Sequence, residues 1–239
     1  DSAEARRRAE AGEPGPVWIS AAEQTAGRGR RGRAWSSPGG NLSATWLGLS
    51  DMAPVEAAEV AFVAAVAVAD TLSQWVPPSL VRIKWPNDVL IDGQKAAGIL
   101  VESGRFDSVY LWLAVGIGIN VAKAPDAAES PSVYGITALG AHLSQDHSMT
   151  PTVTTVLDTL SLAFERRRLS WLHNGFGGIR TAWLERAHGL GQPCIARLMD
   201  EAVEGIALGL DEDGALQLRQ ADGRIRRITA GDVFFPEAV

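Results

Sequence analysis

A segment rich in arginine and glycine, residues 24–35, is the part of the sequence whose residue types suggest chemistry most directly. Glycine carries a large entropy cost in a helix, so the alternation predicts an open loop whose backbone can approach a ligand closely. Four arginines predict that this loop closes over an anion such as a phosphate: Arg28, Arg30, Arg31 and Arg33. An Arg-Gly nucleic-acid tail is the alternative interpretation, but the segment lies between predicted strands of an acidic protein.

A second run, residues 84–88 (Lys-Trp-Pro-Asn-Asp), stands at the exit of a predicted strand. Its proline removes a backbone donor and fixes φ, and Asn87 with Asp88 suits the turn that follows. A strand terminator alone does not require a lysine, an amide and a carboxylate together. The combination of Lys84, Asn87 and Asp88 therefore favours a functional site over a purely structural one.

Residues 95–102 form a third candidate, in which small side chains adjoin a lysine. Ala96, Ala97 and Gly98 leave room for a ligand beside the backbone. Lys95 stands where it can reach a carboxylate or a phosphate. Taken alone the stretch is ambiguous, because a lysine on the surface of a hairpin is the commoner case.

Alternate glycines in residues 116–120 predict a strand that has no side chains on one face at these positions, which is called the cleared face below. Gly116 and Gly118 would let a flat or bulky group lie against that face. Asn120 is consistent either with a phosphate or purine contact or with a simple strand end. The stretch is not a dinucleotide fingerprint, since no third glycine and no helix follow. The sequence also lacks metal-ligand spacing, a nucleophile–base arrangement and a P-loop.

Composition limits the class of protein. With 239 residues, 46% of them hydrophobic, the chain suits one large domain or one domain plus a small appendage. A net charge of −6 argues against a broad nucleic-acid interface, so we expect no DNA partner. The longest uncharged apolar run, residues 60–69, is too short to cross a bilayer, so we expect no membrane association. One cysteine, Cys194, forms no internal disulfide, which favours a cytoplasmic location.

The elements that must position these residues follow from hydrophobic periodicity and turn residues. The pattern predicts helices over residues 2–11, 54–75, 152–169 and 174–187, and strands over residues 17–22, 41–49, 80–85, 88–92, 95–103 and 108–115. Asp92-Gly93 is a favoured two-residue turn, so the strands on either side of it should form a hairpin. Residues 23–40 are predicted as a long loop. From residue 192 onward, short strands punctuated by glycine predict a small all-β barrel.

In combination, the motifs at residues 27–33, 84–88, 95–102 and 116–120 resemble those of biotin protein ligases (biotin–[acetyl-CoA-carboxylase] ligases). The C-terminal stretch is similar to the small terminal domain of that family, so the resemblance covers nearly the whole chain. It implies an α+β fold, with a mixed β-sheet covered by helices on one face and a C-terminal SH3-like β-barrel. The implied domains are residues 1–189, which bind biotin and ATP, and residues 190–239. It also implies the form of the family without an N-terminal DNA-binding domain.

The resemblance implies roles for individual residues. Catalysis is expected from Lys95, Arg30, Asp88 and Lys84. Biotin is expected to contact Ser2, Ala3, Glu4, Gln24, Arg28, Gly29, Arg30, Lys95, Gly98 and Gly116. ATP or the adenylate is expected to contact Gly27, Arg30, Arg33, Trp35, Asn87, Lys95 and Asn120. The family usually begins this site with Asp-Ser-Thr-Asn, so Ala3 lacks one hydroxyl donor here.

The implied reaction joins biotin and ATP into biotinyl-5′-AMP and then transfers biotin to a lysine of a biotin carboxyl carrier domain of a carboxylase. Cationic side chains and Mg²⁺ would offset the repulsion between the biotin carboxylate and the α-phosphate. Asn87 or Asp88 is expected to help hold the Mg²⁺, and no structural metal is expected. Asp88 is also the candidate to orient or deprotonate the carrier amine. The oligomeric state is expected to be a monomer or a homodimer.

Two other functions remain open from the sequence. A lipoate or octanoate ligase shares the fold and the chemistry, although the polar ureido ring of biotin needs donors such as Ser2 and Gln24. A nucleic-acid-binding regulatory module would instead bind DNA through the arginines in a salt-sensitive manner.

Overall fold

Helices and strands are both present along the first 184 residues, and only strands follow in the described remainder of the chain. A computed structural model describes residues 2–24, 27–126 and 134–236. The helices are α1 (Ser2–Glu10), α2 (Pro54–Ala57), α3 (Val60–Leu72), α4 (Val153–Asn174) and α5 (Phe176–Leu184). The strands are β1 (Val17–Ala21), β2 (Leu42–Ser50), β3 (Val81–Lys84), β4 (Asp88–Ile91), β5 (Gln94–Arg105), β6 (Leu111–Ile119), β7 (Pro193–Arg197), β8 (Ala202–Leu210), β9 (Leu216–Arg219), β10 (Ile225–Ile228) and β11 (Asp232–Phe234).

The larger sheet has six strands in the order β1-β2-β6-β5-β4-β3. All five pairs of neighbouring strands are antiparallel. Among the residues that the structure describes, parallel pairing is limited to two isolated bridges, Ile83–Ala187 and Lys95–Ile136, which supply the parallel component of the expected mixed sheet. The predicted hairpin joins β4 to β5, and both turn residues have positive φ, 50° at Asp92 and 74° at Gly93. Such a turn matches the twist of the flanking strands.

The two faces of this sheet differ in what covers them. In β6, Leu113 and Val115 belong to the main core, into which α3, α4 and α5 pack. The alternate residues Trp112 and Ala114 point to the other face, where they pack with α1. Helices α3, α4 and α5 thus share one face as expected, whereas α1 lies on the other. Because Gly116 and Gly118 continue the α1 side, the candidate ligand face is that of α1.

The helix predicted over residues 54–75 is interrupted. Backbone hydrogen bonds from Glu59 to Glu56 and from Phe62 to Glu59 span three residues instead of four. This tightened turn separates α2 from α3. The Glu59 carboxylate lies at this break and accepts a hydrogen bond from Trp171 Nε1 of α4 at 2.7 Å.

The C-terminal strands form the expected small all-β domain, a five-stranded sheet in the order β10-β9-β8-β7-β11 that does not close on itself among the described residues. Within the described residues, β10 and β11 end the sheet and do not pair with each other. The three-residue strand β11 was not predicted. Phe235, the residue after β11, contacts the larger domain: its amide donates a hydrogen bond to Tyr134 Oη at 2.7 Å. The free edge of β11 therefore faces the candidate site.

None of the helices in the described parts of the chain combines the length and the apolar character that crossing a bilayer demands.

Candidate active site

A cavity of about 390 Å³ lies between the larger sheet, the arginine-glycine loop and β11. Most of the residues implied by the sequence line it: Ser2, Gln24, Arg28, Gly29, Arg30, Arg33, Trp35, Lys84, Asn87, Asp88, Lys95, Gly98 and Gly116. These residues come from five separate segments of the chain. The structure therefore brings the four sequence motifs and the first helix together around one space.

The floor of the cavity is the glycine-bearing part of β5 and β6. Gly98 and Gly118 are paired across the two strands. A Cβ atom on Gly118 would lie 2.5 Å from the Trp35 indole, and one on Gly98 would lie 3.1 Å from it. The flat group that the cleared face accommodates is thus the indole of Trp35. Beside it, Gly116 makes room for Ser2, since a Cβ there would lie 2.7 Å from Ser2 Oγ.

Two lysines and one carboxylate meet at the end of β3 and the start of β5. Lys95 Nζ lies 2.7 Å from Asp88 Oδ1 and 5.4 Å from the centroid of the Trp35 ring. Lys84 is only 5% exposed, and its Nζ lies 4.8 Å from the centroid of the Tyr134 ring. Burial lowers the pKa of Lys84, and the nearby charge of Lys95 lowers it further while Asp88 opposes the shift. The site is therefore a partly desolvated cationic pair with a shared carboxylate.

The arginine-glycine loop is more ordered than the predicted open loop. Arg28 and Ala34 form a β-bridge, and the Gly29 amide donates to the Arg33 carbonyl at 2.7 Å. A short 3₁₀ turn at its tip places Arg31 in the left-handed region, with φ of 54°. The described part of the loop is therefore a small hairpin lying over the cavity.

Three of the four loop arginines are paired with protein carboxylates. Arg28 Nη2 lies 3.5 Å from Glu102 Oε1. Arg31 and Arg33 both pair with Asp232, at 3.3 and 2.8 Å. The positive charge that these three arginines present to the cavity is therefore partly offset by Glu102 and Asp232.

Arg30 differs from the other arginines of this loop. Among the residues that the structure describes, it has no carboxylate within salt-bridge distance. Its Nη1 donates to the Gly231 carbonyl at 3.3 Å and to Asn87 Oδ1 at 3.5 Å. Burial lowers the pKa of Arg30, with the attraction of Asp232 acting in the opposite sense. Arginine stays charged in spite of such a shift, so Arg30 brings an unmatched positive charge to the cavity.

Comparisons with known proteins agree with this geometry. Residues 8–120 match the model of the biotin/lipoate A/B protein ligase family, and residues 189–235 match the biotin protein ligase C-terminal domain. The chain is 43% identical over 224 residues to the biotin–[acetyl-CoA-carboxylase] ligase of Paracoccus denitrificans, covering 92% of this chain and 91% of that protein. The chain belongs to the biotin protein ligase family.

Further relatives include members with additional length. The bifunctional ligase/repressor BirA of Bacillus subtilis is 33% identical over 92% of this chain, which spans 66% of that protein. The biotin protein ligase of Aquifex aeolicus, solved in complex with biotin and ATP, superimposes with a TM-score of 0.76 at 23% identity. That match covers 96% of this chain and 94% of the Aquifex chain, and it confirms the predicted ligase fold.

Four residues that the biotin protein ligase resemblance implied do not line the cavity. Ala3 is exposed on α1, and the Glu4 carboxylate pairs with Arg7 and Arg8 on the same helix. The helical turn directs these two side chains away from the cavity, whereas Ser2 points into it. The structure thus does not support the expected biotin contacts of Ala3 and Glu4.

Asn120 and Gly27 hold the framework of the site. Asn120 is 1% exposed, and its amide donates to the Thr137 carbonyl at 3.0 Å, which favours the strand-end interpretation over an adenylate contact. The Gly27 carbonyl accepts the Trp35 amide at 3.0 Å, which closes the base of the loop hairpin.

The residues proposed for Mg²⁺ are already engaged. Asp88 pairs with Lys95, and the side-chain oxygen of Asn87 accepts from Arg30. The described residues contain no cluster of three or more His, Cys, Asp or Glu side chains able to hold a metal ion. Since Mg²⁺ usually binds one or two protein oxygens together with substrate phosphates, these residues do not make a preformed magnesium site.

Several lining residues had no signal in the sequence: Thr45, Tyr134, Asp232, Val233 and Phe234. Thr45 is an ordinary strand residue, Tyr134 follows the last motif by 14 residues, and the other three lie far along the chain from the motifs. Asp232, Val233 and Phe234 belong to the C-terminal stretch, which was recognised from the sequence only as similar to the terminal domain of biotin protein ligases. Only the docking of β11 against the larger sheet brings Asp232 to the arginine-glycine loop.

Proposed function

We propose that this protein is an ATP-dependent biotin–[biotin carboxyl carrier protein] ligase. It forms biotinyl-5′-AMP and diphosphate from biotin and ATP, and then transfers biotin to one lysine of a biotin carboxyl carrier domain, releasing AMP. The observation that carries this proposal is the convergence of Lys84, Lys95 and Arg30 on one cavity in a chain of the biotin protein ligase family. The Paracoccus relative, named for this activity, supports it.

The first step brings two anions together. A carboxylate oxygen of biotin attacks the α-phosphorus of ATP, a C–O–P bond forms, and diphosphate leaves with the electrons of the broken P–O bond. Lys84, Lys95 and Arg30 lower the energy of the crowded, negatively charged phosphorus because their charges are already fixed around the cavity. Asp88 contributes by holding Lys95 Nζ at 2.7 Å, so that this ammonium needs little reorganisation.

The adenylate has to be protected from water until the carrier arrives. The hairpin of residues 27–35 lies over the cavity, with Arg30 bound to Gly231 and Asn87. We assign this hairpin as the lid over biotinyl-5′-AMP, since a mixed anhydride hydrolyses readily in open solvent.

The second step needs a neutral amine. The carrier lysine attacks the acyl carbon of biotinyl-5′-AMP, an amide bond forms, and AMP leaves. We assign Asp88 to orient the incoming amine and to take its proton, because Asp88 lines the cavity beside Lys95. No acyl group is carried on the protein itself.

Two features of organisation belong to the same proposal. The boundary between the catalytic and C-terminal domains is placed at residues 189 and 190, supported by the C-terminal family model that matches residues 189–235. A cytoplasmic location is proposed because the one cysteine of the sequence, Cys194, is buried and unpaired.

Biotin-dependent exchange of diphosphate into ATP tests the proposal. We expect exchange with biotin and much slower exchange with lipoate or octanoate. Addition of a biotin carboxyl carrier domain should then give a biotinylated product, and a carrier whose target lysine is replaced by arginine should not. Absence of biotin-dependent exchange, or faster exchange with lipoate, would contradict this function.

A further inference from the structure

Glu102 is a charged residue near the cavity to which the proposed reaction assigns no role. It lies on β5, four residues after Gly98 and on the same face. Its side chain is 16% exposed, and Oε1 lies 2.5 Å from Arg6 Nη2 and 3.5 Å from Arg28 Nη2. Its other oxygen, Oε2, is buried without a hydrogen-bond partner among the described residues.

These two arginines belong to different elements. Arg6 is on α1, the helix whose first residue, Ser2, reaches into the cavity. Arg28 begins the loop hairpin that covers the cavity. A single carboxylate on the rigid sheet therefore holds the helix and the lid together. A fully exposed ion pair would contribute little, but one partly desolvated carboxylate shared by two arginines fixes the relative position of both elements.

The position of Glu102 along the sheet indicates which end of the cavity it controls. Asp88, which marks the cationic end, pairs with Gly98 in the sheet. Ser2 Oγ lies against Gly116, whose partner on β5 is Leu100. The end of the cavity that contains the Ser2 hydroxyl therefore lies further along β5 than the cationic end, in the direction of Glu102. Biotin has a carboxylate at one end and a neutral polar ring at the other, so the ring belongs at the end with Ser2.

We propose that Glu102 is a positioning residue for biotin: through Arg6 and Arg28 it holds α1 and the lid at the ring end of the cavity, and so sets biotin affinity. This inference rests on the proposed biotin ligase function. Glu102 touches neither the cationic end nor the reacting atoms. Its loss therefore weakens the binding of biotin more than it lowers the rate of adenylation at saturating biotin, because Arg30 keeps its own contacts with Gly231 and Asn87.

The test compares Glu102→Gln, Arg6→Met and the double variant with the wild-type protein. Biotin affinity is measured by calorimetry without ATP, and KM for biotin, KM for ATP and kcat are measured by diphosphate exchange. Loss of a hydrogen bond to a charged group predicts that Kd and KM for biotin are about 5- to 30-fold higher in Glu102→Gln than in the wild-type protein. KM for ATP and kcat should change by a smaller factor than the biotin Kd.

The partner and control variants make the result specific. Arg6→Met should weaken biotin binding by itself. The double variant should bind biotin about as weakly as Glu102→Gln alone, because contacting residues are not additive. Glu201→Gln removes another carboxylate that pairs with an arginine, Arg226, in the C-terminal sheet, and it should leave biotin affinity unchanged.

Two results would overturn the inference: an unchanged biotin Kd in Glu102→Gln, or a fall in kcat at constant biotin Kd. If Glu102→Gln unfolds, as shown by its melting temperature, Arg6→Met decides, and an unchanged biotin Kd in that variant overturns the inference. Failure of the wild-type protein to bind biotin or to catalyse biotin-dependent exchange would instead reject the proposed function.

Discussion

Three cationic side chains of the cavity, Lys84, Lys95 and Arg30, carry the same charge but have different environments. Lys95 has a carboxylate partner, Asp88, whereas the more deeply buried Lys84 lies against an aromatic ring. Arg30 is the loop arginine without a carboxylate partner among the described residues. Sequence spacing identified all three cations, but their differences depend on neighbours from other segments.

Replacement of Lys95 by alanine should strongly depress adenylate formation. It removes the cation closest to Asp88 and leaves that carboxylate facing the incoming phosphate. Loss of one preorganised charge predicts about a 100- to 1000-fold lower kcat for biotin-dependent diphosphate exchange. Lys123→Ala is the matched control, because that side chain is exposed outside the cavity. A rate near wild type in Lys95→Ala would count against its assigned role.

The lowered pKa of Lys84 predicts a pH dependence of the first step. The protonated ammonium is the active form, so exchange should decline as the pH rises through the pKa of Lys84 in the folded protein. Burial places this pKa below the ordinary value of 10.5, so the decline begins at lower pH than for an exposed lysine. Lys84→Arg should move the decline to higher pH, since arginine remains charged. Identical pH profiles for the two proteins would exclude Lys84 as the titrating group.

At the scale of elements, the site depends on glycines that let a loop side chain lie on the sheet. The strand positions of Gly98 and Gly118 were predicted from the sequence, together with a cleared face. The sequence did not indicate that Trp35 covers that face. Secondary-structure patterns describe one element at a time, whereas this contact joins a loop to two strands.

A methyl group at Gly118 should displace Trp35. In Gly118→Ala the added Cβ would lie 2.5 Å from the indole, so the ring and the lid that carries it must shift. Since small displacements of positioning groups cost up to about 100-fold in rate, we expect kcat/KM for ATP to fall about 10- to 100-fold. Steady-state exchange kinetics measure this.

Gly177→Ala is the control for this substitution. Gly177 lies in α5, and a Cβ there meets nothing within 4 Å. Alanine favours a helix over glycine, so the control should be active and slightly more stable. Normal kinetics in Gly118→Ala, with an unchanged melting temperature, would show that the position of Trp35 does not matter for ATP.

At the scale of the whole molecule, the C-terminal sheet completes the cavity of the larger domain. Asp232 binds Arg31 and Arg33, and the Trp85 indole donates to the Gly214 carbonyl at 3.2 Å. The open edge of the second sheet is the part that meets the lid. Among the described residues, β11 pairs with β7 and contacts the catalytic domain, and it does not pair with β10.

Removal of the Asp232 charge should loosen the lid. Asp232→Asn breaks two ion pairs to the loop hairpin, and we expect biotinyl-5′-AMP to escape about 3- to 10-fold faster. The measurement is the release rate of adenylate in the absence of carrier. Asp222→Asn is the control, because that carboxylate pairs with Arg224 in an exposed turn of the same sheet. Equal release rates for the two variants would show that Asp232 does not hold the lid.

The sequence by itself determined the family, the hairpin at Asp92-Gly93 and most of the residues that line the cavity. These features are local: turn residues, strand periodicity and motif spacing act over a few neighbouring positions. Tertiary structure decided which arginine stays unmatched, what covers the glycine face and how the C-terminal sheet closes the site. Those outcomes depend on charges and side chains from distant segments, such as Asp232 at the loop, and a linear pattern does not encode their distance in space.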